Sequence, residues 1–167
     1  MGRASAVSQP ALSIEALLGG RKVLQAKHRT ALDWVVVIRQ GLSSAAVDSL
    51  AGIMRITQSE LATALGIPER TLARRRKQGS LNSEESAKVV RLARVLWRAS
   101  ETFEDLDTAL DWMKSPNAAL SGATPFSLLD TDIGAESVMD TLGRIEHGVF
   151  ARPSCASSRR SRRMLVS

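Results

Sequence analysis

Residues Ile56 to Arg76 read ITQSELATALGIPERTLARRR, and the fold turns on this stretch. Thr57 followed three residues later by Glu60 has the pattern of a capping box, in which each side chain satisfies a backbone N–H that a first helical turn leaves without a partner. Leu61, Ala62 and Leu65 then share one helical face. Gly66 stands where a helix ends in a left-handed residue, and Pro68 at a favoured first position of the next helix. That second helix, predicted from Pro68 to about Lys77, places Leu72 inside and is closed by Gly79. Two short helices joined this tightly, with small Ala62 to let them approach and Gly66 in the turn, have the spacing of a helix-turn-helix.

Such a pair can lay its second helix in the major groove of DNA, with residues near its start at the base edges. Here those are Glu69, Arg70, Ala73 and Arg74, and Thr71 and Arg76 complete the candidate DNA-binding set on that helix. Arginine suits bidentate contact with guanine, while Gln58, at the start of the preceding helix, is placed like a phosphate clamp. One position departs from the template. An apolar residue is expected three beyond Leu72, and Arg75 stands there, so either the second helix is shorter than usual or Arg75 is buried against a carboxylate. The segment can also be read as a packing hairpin with a solvated arginine face; its coincidence with a basic part of the chain favours DNA.

Working outward, Ser43 or Ser44 can cap a helix through Met54, with Ala46, Val47 and Leu50 on its apolar face. Beyond Gly79, Asn82 or Ser83 caps a helix of about four turns carrying the stripe Val89, Val90, Ala93, Leu96 and Trp97. Its cations Lys88, Arg91, Arg94 and Arg98 read either as a phosphate track or as surface pairs, Lys88 with Glu84 and Arg98 with Glu101. Asp105 caps the next helix, with Leu106, Ala109, Leu110 and Met113 inward and Pro116 past its end. Thr124-Pro125 opens a short helix through Leu129, and Thr131 or Asp132 begins one that runs to His147, with Gly148 as terminator. Residues 14 to 40 stay open, because Val35 to Ile38 is a β-branched run that suits strand or helix. The first dozen residues, small and polar, read as a tail.

The 167 residues, 44% hydrophobic and 24% charged, can bury a core of one or two small domains. The longest apolar run, Trp34 to Ile38, is far below the roughly 20 residues of a membrane-spanning helix. The opening MGRASAVSQP lacks the cationic-then-apolar pattern of a secretory signal, and the single Cys155 cannot pair internally; both fit a cytoplasmic protein. The net charge of +6 is unevenly spread: residues 1 to 40 carry +4, 41 to 100 carry +5, 101 to 150 carry −8, and 151 to 167 carry +5. A basic part that attracts phosphates therefore adjoins an acidic part that repels them.

Catalytic and metal chemistry find little footing. The histidines are His28 and His147, tyrosine is absent, and no glycine spacing fits a P-loop or dinucleotide fingerprint, so no catalytic residue, metal or cofactor is expected. Asp105 and Asp107 complement a helix N-terminus, and His147 a helix C-terminus.

The chain over Gly41 to Ala151 resembles the Xre/MbcA/ParS antitoxins. The resemblance is carried by Thr71-Leu72 with Arg74-Arg75, Ala109 with Trp112, Pro116-Asn117 with Leu120, Pro125 with Leu128-Leu129, Gly134, and Leu142-Gly143-Arg144-Ile145 before Gly148-Val149. Arg75 agrees with that family's pattern. The resemblance implies a non-enzymatic type II antitoxin that dimerises, binds the promoter of its own operon, and inhibits a RES-domain toxin, an enzyme that depletes NAD, by covering its active site. The covering region corresponds to Asp140 through Arg152, with Asp140, Arg144, His147, Gly148, Val149, Phe150, Ala151 and Arg152 as candidate toxin-binding residues. An acidic cap suits a site built to hold a phosphate-bearing substrate.

These readings together give an all-α, compact helical bundle. An undetermined segment 1–40 precedes an Xre-like helix-turn-helix domain, 41–84; a toxin-binding domain, 85–151, and a basic tail, 152–167, follow. The expected partners are a cognate RES-domain toxin, operator DNA and a second copy of the chain, with no membrane. The competing reading is a free-standing helix-turn-helix regulator with a C-terminal oligomerisation or ligand domain.

Overall fold

The computed structural model describes residues 12–24 and 30–148. Its helices are α1 (Ile14–Leu17), α2 (Ala31–Gln40), α3 (Ala45–Met54), α4 (Gln58–Leu65), α5 (Glu69–Gln78), α6 (Ser83–Phe103), α7 (Leu106–Lys114) and α8 (Asp132–Glu146). Short 3₁₀ turns occur at Gly20–Lys22, Ala118–Leu120 and Pro125–Leu128. No strand forms among the described residues; an isolated bridge joins Ser43 to Ser80. The architecture is the all-α bundle that the periodicities predict.

Residues 31–40 resolve as helix. Thr30 and Asp33 form a capping box, and Trp34, Val37 and Ile38 pack on the core. A firm start and an inward apolar stripe outweigh the modest helical penalty of β-branched residues.

Several starts are assigned. Ser44 is the N-cap of α3 but makes no side-chain capping bond; Ser43, one residue earlier, accepts from the Ala45 N–H at 3.3 Å. Asn82 opens α6 in a capping box with Glu85, and Thr131 opens α8 by accepting from Gly134 N–H at 3.1 Å. Pro68 stands just before α5 rather than at its first position, and the Thr124-Pro125 segment is a 3₁₀ turn.

The largest difference from expectation is α6, which spans 21 residues rather than about four turns. Buried Ala99 and Ser100 and half-buried Phe103 carry its inward face past Trp97, and it ends at Glu104 in a left-handed conformation, φ 55°, with no glycine to mark the stop. It is buried on several faces and packs against α1, α2, α3, α4, α7 and α8. One continuous core runs from Leu61, Leu65 and Leu72 through Val89, Leu92 and Leu96 to Val138 and Leu142. The division between 84 and 85 falls in the first turn of this shared helix.

Candidate functional site

Helix α5 begins as the Pro68 carbonyl accepts from the N–H groups of Thr71 and Leu72, and Leu72, 1% exposed, anchors its inner face. Opposite that anchor, Arg70, Ala73, Arg74 and Lys77 are exposed and recur at i, i+3, i+4 and i+7, so they form one outward stripe. Arg70, Arg74 and Lys77 make no ion pair with the described residues. Lys77 is absent from the set read from sequence, although its spacing from Arg70 marks it. Glu69 is exposed in the first turn, where a carboxylate complements the helix dipole, and Thr71 is half-buried.

Arg75 points inward. Its Nε lies 2.8 Å from Oε2 of Glu85 and donates to Oε1 at 3.0 Å, while Nη1 donates to Gln78 Oε1 at 3.1 Å. Glu85 also accepts from the Asn82 N–H at 2.9 Å, so one carboxylate both caps α6 and neutralises Arg75. Of the two alternatives for Arg75, burial against a carboxylate is the one realised.

Gln58 and Arg76 converge on Asp48 of α3. Gln58 Nε2 donates to Asp48 Oδ1 at 3.3 Å, and Arg76 Nη2 is 2.7 Å from the same oxygen. Asp48 carries no motif in the sequence; only the packing of α3 against the next two helices puts it there.

Three of the four α6 cations, Lys88, Arg91 and Arg98, are held by the protein's own acids. Lys88 pairs with Glu84 as expected and donates to the Gly66 carbonyl at 3.2 Å. Arg91 pairs with Asp132, and Arg98 with Glu146 rather than Glu101. Arg94 alone of the four is exposed. Arg91 and Arg98 face α8, which supplies both of their acids.

On α8, Asp140, Arg144 and His147 recur at i, i+4 and i+7 and are all exposed, so they form one solvent-facing row that leads to Gly148, φ 68°. His147 stands at the C-cap, where its N–H donates to the Gly143 carbonyl at 3.1 Å. Val149, Phe150, Ala151 and Arg152 lie outside the described residues, as do His28 and Cys155. Asp140 also rims an open cleft of about 490 Å³ between α2, α6 and α8, floored by Ile38, Val90, Val95 and Met139.

Glu60 and Asp105, both part of helix N-terminal caps, have shifted acidities. Hydrogen bonds from the Thr57 backbone and side chain hold Glu60 below its usual range, and those from the Thr108 side chain and backbone do the same for Asp105. Neither is a proton-transfer site. Among the described residues no group of three His, Cys, Asp or Glu side chains could hold a metal ion, and no helix is long and apolar enough to cross a membrane.

Known antitoxins match two successive parts of the chain. Residues 33–94 match the antitoxin Xre-like helix-turn-helix domain, and residues 98–148 match the antitoxin Xre/MbcA/ParS C-terminal toxin-binding domain. The chain is 40% identical over 116 residues to "Antitoxin Xre" of Yersinia enterocolitica serotype O:8 / biotype 1B, covering 68% of this chain and 78% of that protein. The chain belongs to the Xre antitoxin family. A second antitoxin Xre, from Photorhabdus laumondii subsp. laumondii, is 36% identical over 117 residues, 69% of this chain and 79% of its own length. The "Prs ADP-ribosylating antitoxin" of a Sphingobium species is 25% identical over 130 residues, 72% and 82% of the two chains. Both matched domains of this Xre-family antitoxin are binding modules rather than enzymes, and they meet within α6.

Proposed function

We propose that this antitoxin neutralises a RES-domain toxin that depletes NAD and that it represses its own operon. The observation that carries the reading is the separation of two exposed surfaces that make no ion pair among the described residues. Arg70, Arg74 and Lys77 face outward from α5, and the Asp140, Arg144 and His147 row leads out of α8 into residues 149–152. The first suits DNA phosphates and guanine edges. The second, within a stretch of net charge −8 from 101 to 150, suits the rim of a site that binds a phosphate-rich dinucleotide. The name of the Sphingobium relative supports the substrate, because ADP-ribosylation draws its ADP-ribose from NAD.

In this reading residues 41–84 form the DNA-binding part and 85–151 the toxin-binding part, Asp140 to Arg152 cover the toxin's active site, and the complex works in the cytoplasm. Two copies act together. The exposed side chains Leu32, Val35 and Val36 recur at i, i+3 and i+4 on α2, and an uncovered apolar stripe of this kind supports self-association. The test is co-expression with the neighbouring reading frame. That frame alone is expected to stop growth and lower cellular NAD, and this chain to restore both. A harmless neighbour, or toxicity that persists with this chain present, returns the protein to the free-standing regulator.

A further inference from the structure

Two side chains of the candidate DNA-binding set are already held by an anion of the protein itself. Asp48 Oδ1 takes Arg76 Nη2 at 2.7 Å and Gln58 Nε2 at 3.3 Å, from two different helices. The Arg76 and Asp48 side chains remain 42% and 48% exposed, so the pair stands where water and salt reach it. Gln58 Oε1 is buried and without a hydrogen-bond partner, so the amide's polar anchorage is its single bond to Asp48; turning it over would set Oε1 against the carboxylate. Among the described residues, Arg70, Arg74 and Lys77, on the same helix as Arg76, have no such internal acid.

We propose that Asp48 is an internal stand-in for a DNA phosphate, holding Gln58 and Arg76 in the unbound protein and setting how tightly, and with what salt dependence, the antitoxin grips DNA. The inference rests on the DNA-binding reading above. A cation already neutralised by its own protein displaces no counterion from DNA, so Arg76 adds nothing to the salt slope while Asp48 is charged. The carboxylate also subtracts one charge from the DNA-facing surface. Asp48→Asn keeps an acceptor of the same shape for Gln58 and removes only the charge.

The experiment measures binding of the full chain to a labelled duplex taken from immediately upstream of its own gene, and to an unrelated duplex, over a series of salt concentrations. Asp48→Asn is expected to bind both about fivefold more tightly at ~0.05 M salt, with a slope of log K against log salt steeper by about 0.9. Arg76→Gln, combined with Asp48→Asn, is expected to cancel the steepening that Asp48→Asn brings alone. Equal affinity and slope for Asp48→Asn and the parent chain overturn the role of Asp48 while leaving DNA binding intact, as does a slope reduced by Arg76→Gln to the same extent in both backgrounds. Failure of every form to bind either duplex overturns the inference and the DNA-binding reading together.

Discussion

Arg75 on α5 reaches Glu85 on α6, Nε to Oε2 at 2.8 Å, and so ties the helix that carries the outward cationic stripe to the helix in which the two matched domains meet. The same carboxylate closes the capping box of α6. A charged residue thus occupies the inward position that a helix-turn-helix usually gives to a hydrophobic one. Removing one partner of a buried pair leaves the other uncompensated, at about 3–5 kcal/mol when burial is complete. Arg75 keeps a side-chain exposure of 24%, so Arg75→Ala is expected to cost about 2 kcal/mol after discounting for solvent screening. Urea unfolding of Arg75→Ala, Glu85→Ala and the double variant checks this; additive losses would show that the two residues are not coupled.

Two glycines of α8 are expected to respond to alanine with opposite signs. A Cβ at Gly134 would lie 1.9 Å from the Leu128 carbonyl oxygen and 2.8 Å from Thr131 Oγ1, because the start of α8 seats directly on the preceding turn. Gly134→Ala should therefore destabilise by about 3 kcal/mol, the scale of a forced backbone shift. Gly143 has open space around its Cβ position, so Gly143→Ala should stabilise by up to about 1 kcal/mol through helix propensity. Thermal unfolding of both variants decides it, and equal effects would contradict the packing at Gly134.

Acid should unfold the protein partly through its caps. Glu60 and Asp105 are held below their ordinary values in the folded state, so each contributes stability that is complete above its unfolded pKa and is lost as pH falls through the depressed folded one. For Glu60 the loss begins below its ordinary 4.5. Thr57→Ala removes the side-chain half of the cap and should cost about 1 kcal/mol at neutral pH. It should also flatten the fall in melting temperature between neutral pH and about 3, since less shift remains to be lost. An unchanged pH profile would assign the acid sensitivity elsewhere.

The exposed α5 stripe makes a separable prediction. Arg70→Ala or Arg74→Ala should weaken operator binding by about 1–3 kcal/mol for each base the arginine reads, while leaving toxin neutralisation intact. Loss of both activities would point to misfolding, and unchanged operator binding would move the DNA-reading surface off this face.

What the sequence made legible was whatever local chemistry controls. The Thr57–Glu60 box, the left-handed Gly66, the closing Gly79 and the inward Leu72 are all decided within a few residues, and the structure places them as their spacing predicts. The extent of α6 was not legible, because its stop at Glu104 carries no glycine and its continuation depends on burial supplied by other helices. Nor was Asp48, whose importance comes from meeting Gln58 and Arg76 in space. Arg98 shows the same limit: a helical neighbour, Glu101, was available, and Glu146 on α8 captured it through packing.

The division of labour between an outward cationic helix and a C-terminal cap is tested most directly by NAD consumption in vitro. The purified protein of the neighbouring reading frame is mixed with increasing amounts of the full chain, or of the chain truncated after Gly148. The full chain should halt NAD loss once the binding sites are saturated, and the truncated chain should leave most of the activity running. NAD loss that continues undiminished with the full chain, or that stops equally well with the truncated one, would contradict the account.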